Sequence, residues 1–151
     1  MTGRSLPAGL YGHRALAVGD RIETGSVVVN AADIDRFADL SGDRFALHMD
    51  DAAARQLGFP RRVAHGLLVL SLIDGLKNQA PAQLRAVASL GWDIRFSAPV
   101  LAGDGLQATF TVASMRPARD GERAIVVLSV EARSQEGRVV QSGSTTLMML
   151  P

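Results

Sequence analysis

The sequence predicts an α+β fold in which one curved antiparallel sheet wraps around a central apolar helix, and three observations lead there. Residues 85–150 read as four long strands, Arg85–Ser97, Gly105–Arg116, Glu122–Ser134 and Arg138–Leu150, parted by Pro99 with Gly103-Asp104, by Asp120-Gly121 and by Glu136-Gly137. That is the punctuation of consecutive hairpins. The helix Leu67–Asn78 carries Leu67, Leu68, Val69, Leu70, Leu72, Ile73 and Leu76 on nearly every side, a pattern that asks for burial all round. A further strand, Arg21–Val29, rich in β-branched residues, precedes the helical part.

The remaining elements follow in order. At 151 residues the chain suits one domain with a core of its own. Residues 1–17 hold Gly3, Pro7, Gly9 and Gly12 without a periodic pattern and read as a loose N-terminal arm; residues 18–151 form the domain. Asn30 caps a helix over Ala31–Leu40, with Asp33 in its first turn and Ile34, Phe37 and Ala38 as its apolar face. Ser41-Gly42 ends that helix. Asp50 or Asp51 starts a short helix, Ala52–Leu57, which Gly58 and Pro60 stop.

Composition removes several function classes. Sixteen basic against fifteen acidic side chains leave a formal charge of +1, with no basic footprint for nucleic acid. The absence of cysteine excludes disulfides, thiolate metal sites and a cysteine nucleophile. The longest mostly apolar run, Val63 to Ile73, is broken by His65 and Ser71 and ends at Asp74, well short of the ~20 residues of a membrane span. Pro7, Gly9, Gly12 and His13 stand where a secretory signal needs an unbroken apolar stretch. A cytoplasmic protein without a membrane partner is expected.

The chemistry concentrates between Phe37 and Asn78. Asp43 and His48 lie five residues apart in a segment opened by a Ser-Gly turn, so a carboxylate and an imidazole can approach one water molecule as a general acid/base pair. Gly66 falls where a loop becomes the apolar helix; free backbone N–H groups there can hold a developing oxyanion, and the missing side chain lets a carbonyl oxygen approach. Ser71, Asp74 and Asn78 form a polar stripe at spacings of three and four, which either faces a cavity or leads to solvent. Arg61, Arg62, Arg85 and Arg95 are candidate phosphate contacts, with the Arg61-Arg62 pair best placed near the helix start. His65 has no partner at ligand spacing and reads as a structural or helix-capping histidine, so no metal site is expected. His13 receives no role, and Trp92, alternating with Ile94 and Phe96, reads as core or interface.

Three stretches, taken together and in this order, carry a family resemblance: Phe37-Ala38-Asp39-Leu40-Ser41-Gly42-Asp43 through His48, Val63-Ala64-His65-Gly66-Leu67-Leu68, and Arg95-Phe96-Ser97-Ala98-Pro99-Val100-Leu101-Ala102-Gly103-Asp104. The chain resembles the MaoC-like dehydratases, the (R)-specific enoyl-CoA hydratases of the hotdog fold, over roughly Val18 to Leu150. The resemblance implies a homodimer with joined sheets. It also implies reversible hydration of trans-2-enoyl thioesters to (R)-3-hydroxyacyl thioesters, with no cofactor beyond the coenzyme A or acyl carrier protein of the substrate. It maps the catalytic pair onto Asp43 and His48 and the oxyanion-hole glycine onto Gly66. Two departures stand out. Phe45-Ala46 replaces the family's Asn-Pro, which removes an amide hydrogen-bonding group and a rigid turn beside the water site and alters which acyl group is accepted. Asp74 stands where some members carry a serine; it either receives a polar substrate group, acts as a base, or pairs with Lys77 or Asn78. Two other readings remain open at this point: a hotdog thioesterase using Asp74, and a non-catalytic acyl-thioester binder.

Overall fold

The computed structural model describes residues 3–151, in the order β1 (Gly9–Tyr11), a 3₁₀ turn at His13–Ala15, β2 (Arg21–Val28), α1 (Ala31–Ser41), α2 (Ala46–Met49), α3 (Asp51–Gln56), α4 (Gly66–Gln79), β3 (Ala82–Leu84), β4 (Ala86–Phe96), β5 (Gly105–Pro117), β6 (Ala124–Ser134) and β7 (Val139–Met149). Local sequence chemistry fixes the helix starts. The Asn30 side chain accepts from Asp33 N–H at 2.9 Å while the Asp33 carboxylate accepts from Asn30 N–H at 3.1 Å, a reciprocal cap that begins α1. The bond from Asn30 N–H, supported by Arg36, holds the Asp33 carboxyl below its ordinary range. Gly42, in the left-handed conformation at φ 79°, closes the helix by donating its N–H to Ala38 C=O. That reversal turns the chain into the segment carrying Asp43 and His48.

Strands β4 to β7 join β2 in one five-stranded sheet of order β2-β5-β6-β7-β4, and its neighbouring pairs are antiparallel. Alternation decides which face is dry: Leu106, Ala108, Phe110 and Val112 on β5, and Val126, Leu128, Val130 and Ala132 on β6, are buried at every second position. Against that face α4 lays Leu68, Val69, Ile73 and Leu76, all buried. Among the described residues, no helix is long and apolar enough to cross a membrane.

The structure corrects the expected wrap. The fold is hotdog-like α+β, with a long helix against an antiparallel sheet, but the sheet is open: β2 and β4 are its two edge strands, β2 met at Arg21 by Arg4 and Leu6 of the arm, and α4 lies on one face rather than inside a closed curl. Five strands, each turned by roughly 20–25° on its neighbour, accumulate twist without closing. The helix is correspondingly not buried all round, because Leu67 and Ser71 are exposed. The alternating pattern marks one dry face per strand and says nothing about closure. Most boundaries shift by one or two residues, with the apolar helix running Gly66–Gln79, α3 Asp51–Gln56 and β6 starting at Ala124, and the four-residue α2 lies in a stretch with no predicted helix.

The N-terminal arm does not lie loose over its described part. Met1 and Thr2 fall outside the described residues. Leu6 and Leu16 enter the core, and β1 pairs in parallel with β3, Gly9 opposite Ala82 and Tyr11 opposite Leu84.

Candidate active site

The site grows from the two turns that flank α2 and from the start of α4. Ser41 Oγ donates to Phe37 C=O at 2.7 Å and accepts from Asp43 N–H at 3.1 Å, so the turn after α1 is tied to the helix before it. Asp43 Oδ1 then accepts from Phe45 N–H at 3.2 Å. This leaves Oδ2 turned towards His48, 4.0 Å from Nε2. The His48 ring is 12% exposed, and its Nδ1 lies 2.7 Å from Val63 C=O. A carbonyl can only accept, so Nδ1 carries the hydrogen and Nε2 presents a lone pair to the Asp43 side. The 4.0 Å separation is too long for a direct hydrogen bond and leaves room for one oxygen atom to touch both groups.

Gly66 opens α4, where the first N–H groups have no intrahelical acceptor. Among the described residues, none accepts from the Gly66 N–H. Its C=O accepts from Gln141 Nε2 at 2.8 Å. A Cβ at Gly66 would overlap the ring of Phe96, so any larger residue here displaces that ring from the cavity wall. His48, Gly66, Val69, Phe96 and Gln141 line one cavity of about 310 Å³ whose other walls are mainly apolar. Gln141, 3% exposed, was missed by sequence reasoning, because a lone glutamine in a strand carries no spacing signal. Its Oε1 is enclosed without a donor among the described residues.

Asp43, His48 and His65 bring donor atoms within 4.8 Å of one another, the composition of a small metal centre. The geometry does not suit one. Each imidazole spends a nitrogen on a backbone carbonyl, His48 on Val63 and His65 on Asp43. The two rings stack with centroids 3.9 Å apart at 27°, so their remaining lone pairs lie in nearly parallel planes and do not converge on a point ~2 Å from each, as zinc requires.

The other expected contacts are placed as follows. Phe45 is exposed and meets His48 edge-on at 6.0 Å between centroids; Ala46, also exposed, starts α2. Arg62 is nearly enclosed: Nε–H donates to His48 C=O at 2.6 Å, Nη2 to Asp35 Oδ1 at 2.5 Å, and its backbone N–H to Asp51 Oδ1 at 2.9 Å. Arg61 donates to Ala102 C=O at 2.6 Å and reaches Asp104 at 3.3 Å, with its side chain still 42% exposed. Ser71 is exposed and donates back to Leu67 C=O. Asp74, two turns from Gly66, is ion-paired with Lys77 at 2.9 Å. His65 begins α4 without capping it through its side chain.

With this geometry in view, the relatives are informative. Residues 15–133 match the model of the MaoC like domain. The (R)-specific enoyl-CoA hydratase of Aeromonas caviae is 33% identical over 121 residues, 79% of this chain and 85% of that protein. The solved MaoC-like dehydratase of Rhodospirillum rubrum superposes with a TM-score of 0.83 at 28% identity, covering 93% of this chain and 97% of that one. A monoamine oxidase regulatory protein of Archaeoglobus fulgius gives a TM-score of 0.87 at 27% identity, covering 96% and 98%. A family match over most of the chain, a relative above 30% identity and full-length structural agreement converge: this chain belongs to the MaoC-like family of hotdog-fold hydratases.

Proposed function

We propose that the protein adds water reversibly to trans-2-enoyl thioesters and so forms (R)-3-hydroxyacyl thioesters. The observation that carries this is the meeting of His48 and Gly66 on one largely apolar cavity, with the Asp43 carboxylate 4.0 Å from His48 Nε2. The thioester carbonyl accepts from Gly66 N–H, which holds the negative charge that builds on oxygen as water attacks. In well-studied oxyanion holes one such donor contributes about 3–4 kcal/mol. Water sits between Asp43 and His48. As its oxygen bonds to C3, the pair takes up a proton; a proton from the same pair then goes to C2, so the hydroxyl and the hydrogen are added from one face. No net proton is gained or lost.

Phe45 and Ala46 flank this water site and set which acyl group is tolerated, Phe45 by presenting an exposed apolar ring beside His48. Of the Arg61-Arg62 pair, Arg61 is the better candidate for a phosphate of the carrier, since its guanidinium is partly open and lines a separate pocket with Arg138. The thioesterase reading finds no support in Asp74, whose carboxylate is engaged by Lys77. We assign the working form to a homodimer in the cytoplasm. Strand β4 supports pairing of subunits: it is a sheet edge of eleven residues with Val87, Leu90 and Phe96 at least half exposed.

The test is hydration of crotonyl-CoA followed by loss of the enoyl absorbance, with chiral analysis of the product and titration of free thiol. Asp43→Asn and His48→Ala should each lower the rate by at least ~100-fold in folded protein. Release of thiol at the rate of enoyl loss would identify a thioesterase instead.

A further inference from the structure

His65 is a buried titratable side chain that the reaction as written leaves unused, yet it touches both members of the pair. It is 2% exposed. Its Nε2 lies 2.9 Å from the backbone C=O of Asp43, and a carbonyl can only accept, so Nε2 carries the hydrogen. Its ring lies face to face with His48, centroids 3.9 Å apart, and is backed by Phe37 at 4.9 Å. Nδ1, the remaining lone pair, is enclosed and has no donor among the described residues. The next residue in the chain is Gly66.

A ring hydrogen-bonded only at Nδ1 can still tilt about that bond. His48 is tied at Nδ1 to Val63 C=O, and the face of His65 blocks the tilt, so Nε2 of His48 stays aimed at the Asp43 carboxylate. At the same time the Nε2–H of His65 anchors the turn on which Asp43 sits; that turn's other ties among the described residues are local, through Ser41, Phe45, Gly42 to Ala38, and Arg44 to Asp39. A helix cap would have used the His65 side chain on the α4 amides, and it does not. Resting on the hydratase reading, we propose that His65 is a positioning residue. It holds the Asp43 turn by its N–H and the plane of His48 by its ring, and through the chain it keeps Gly66 N–H in register with both.

Two variants separate the two contacts. His65→Phe keeps an aromatic face on His48 and removes the donor to Asp43; His65→Gln keeps a donor in similar reach and removes the face. Each should lower kcat for crotonyl-CoA by about 10- to 100-fold, as misplacement of reacting groups does, while KM moves by less than about threefold. Nitrogen-15 NMR of the wild-type protein should show His65 protonated at Nε2 and His48 at Nδ1. In His65→Gln the His48 Nε2 resonance should broaden as the ring samples several tilts, with its hydrogen still held on Nδ1 by Val63 C=O, a change that a merely structural loss of stability does not produce. If both variants fold and keep kcat within about twofold of wild type, the proposal fails. It fails equally if wild-type His65 carries its hydrogen on Nδ1, a measurement that needs no variant to fold. Undiminished turnover in Asp43→Asn would strike the hydratase reading itself and leave the His65 tautomer as a separate test of the contact.

Discussion

The two ends of α4 treat their polar groups in opposite ways. At the N-terminal end, Gly66 N–H, His65 Nδ1 and Gln141 Oε1 are left without protein partners among the described residues, beside a cavity. At the C-terminal end the same helix sets its buried charge against an opposite one, although Asp74 Oδ1, within ion-pair reach, has no directed hydrogen bond among the described residues. Lys77, only 8% exposed, meets Asp74 at 2.9 Å, and its ammonium lies 5.6 Å from the centre of the Trp92 ring and 5.7 Å from that of Phe110. Gln83 Nε2 donates to the trailing carbonyls of Asn78 and Ala80. An unpaired buried polar group costs about 1–3 kcal/mol, so a fold keeps several together only where something else gains from them. The charged end is held by its own ion pair, and the open end is where the proposed reaction would place its thioester and water.

This contrast can be broken at either end. The largest effect is expected from Gly66→Ala. Its new Cβ overlaps the Phe96 ring, which must swing from the cavity wall, and the approach to the Gly66 N–H is obstructed. We expect hydration of crotonyl-CoA to fall by ~100-fold or more, the order seen when an oxyanion donor is lost. Stability should change by less than about 1 kcal/mol, because alanine is the better helix former and Phe96 is more than half exposed. Partial recovery in a Gly66→Ala, Phe96→Ala double variant would identify the ring as the cause.

A smaller effect of opposite character is expected from Lys77→Met. It removes a buried cation, fills similar space with apolar atoms and leaves Asp74, 41% exposed, in contact with water. Removing one partner of a fully buried pair costs about 3–5 kcal/mol, but solvent at Asp74 reduces this, and roughly 1 kcal/mol is expected in urea unfolding with turnover unchanged. A loss of activity at constant stability would mean that the C-terminal end of α4 also takes part in chemistry.

The smallest effect lies at the tip of the β5–β6 hairpin, at the end of the sheet away from the Phe96–Gln141 pair. Asp120 accepts from the backbone N–H groups of Arg123 and Glu122 and from Arg123 Nε–H. These bonds, led by that from the Arg123 backbone, hold its carboxyl down at about 2. A carboxylate whose folded pKa lies below its unfolded value of about 3.9 stabilises the fold above that value, and the contribution is lost as pH falls through about 2. Asp120→Asn should therefore melt slightly below wild type at pH 7, with the difference closing between about pH 4 and pH 2. A gap that persists at pH 2 would assign the effect to packing rather than to charge.

Much of this organisation is legible in the sequence, and the limits of legibility have physical causes. Asn30 and Asp33 announce the start of α1 because a cap is a local device, and the alternation in β5 and β6 announces a one-sided sheet. The three motif stretches that carry the family resemblance are the ones that meet around the start of α4. What stays hidden is non-local. Gly9–Tyr11 becomes a strand only because Ala82–Leu84 lies beside it. The open sheet could not be told from a closed one, since both have the same alternation. Arg62 reads as a phosphate contact, yet its side chain is spent on His48 C=O and Asp35, partners that the chain order does not reveal. The His65 side chain lacks a partner at any local spacing, and its contacts with His48, Asp43 and Phe37 lie 17, 22 and 28 residues away along the chain.

The decisive measurement is the rate at which folded Asp43→Asn hydrates crotonyl-CoA, taken beside wild type with the product resolved by chirality. The wild type should yield (R)-3-hydroxybutyryl-CoA, and the variant should be at least ~100-fold slower at an unchanged melting temperature. Equal rates in the two proteins, or a wild type that releases free thiol without forming the hydroxyacyl product, would contradict the hydratase reading.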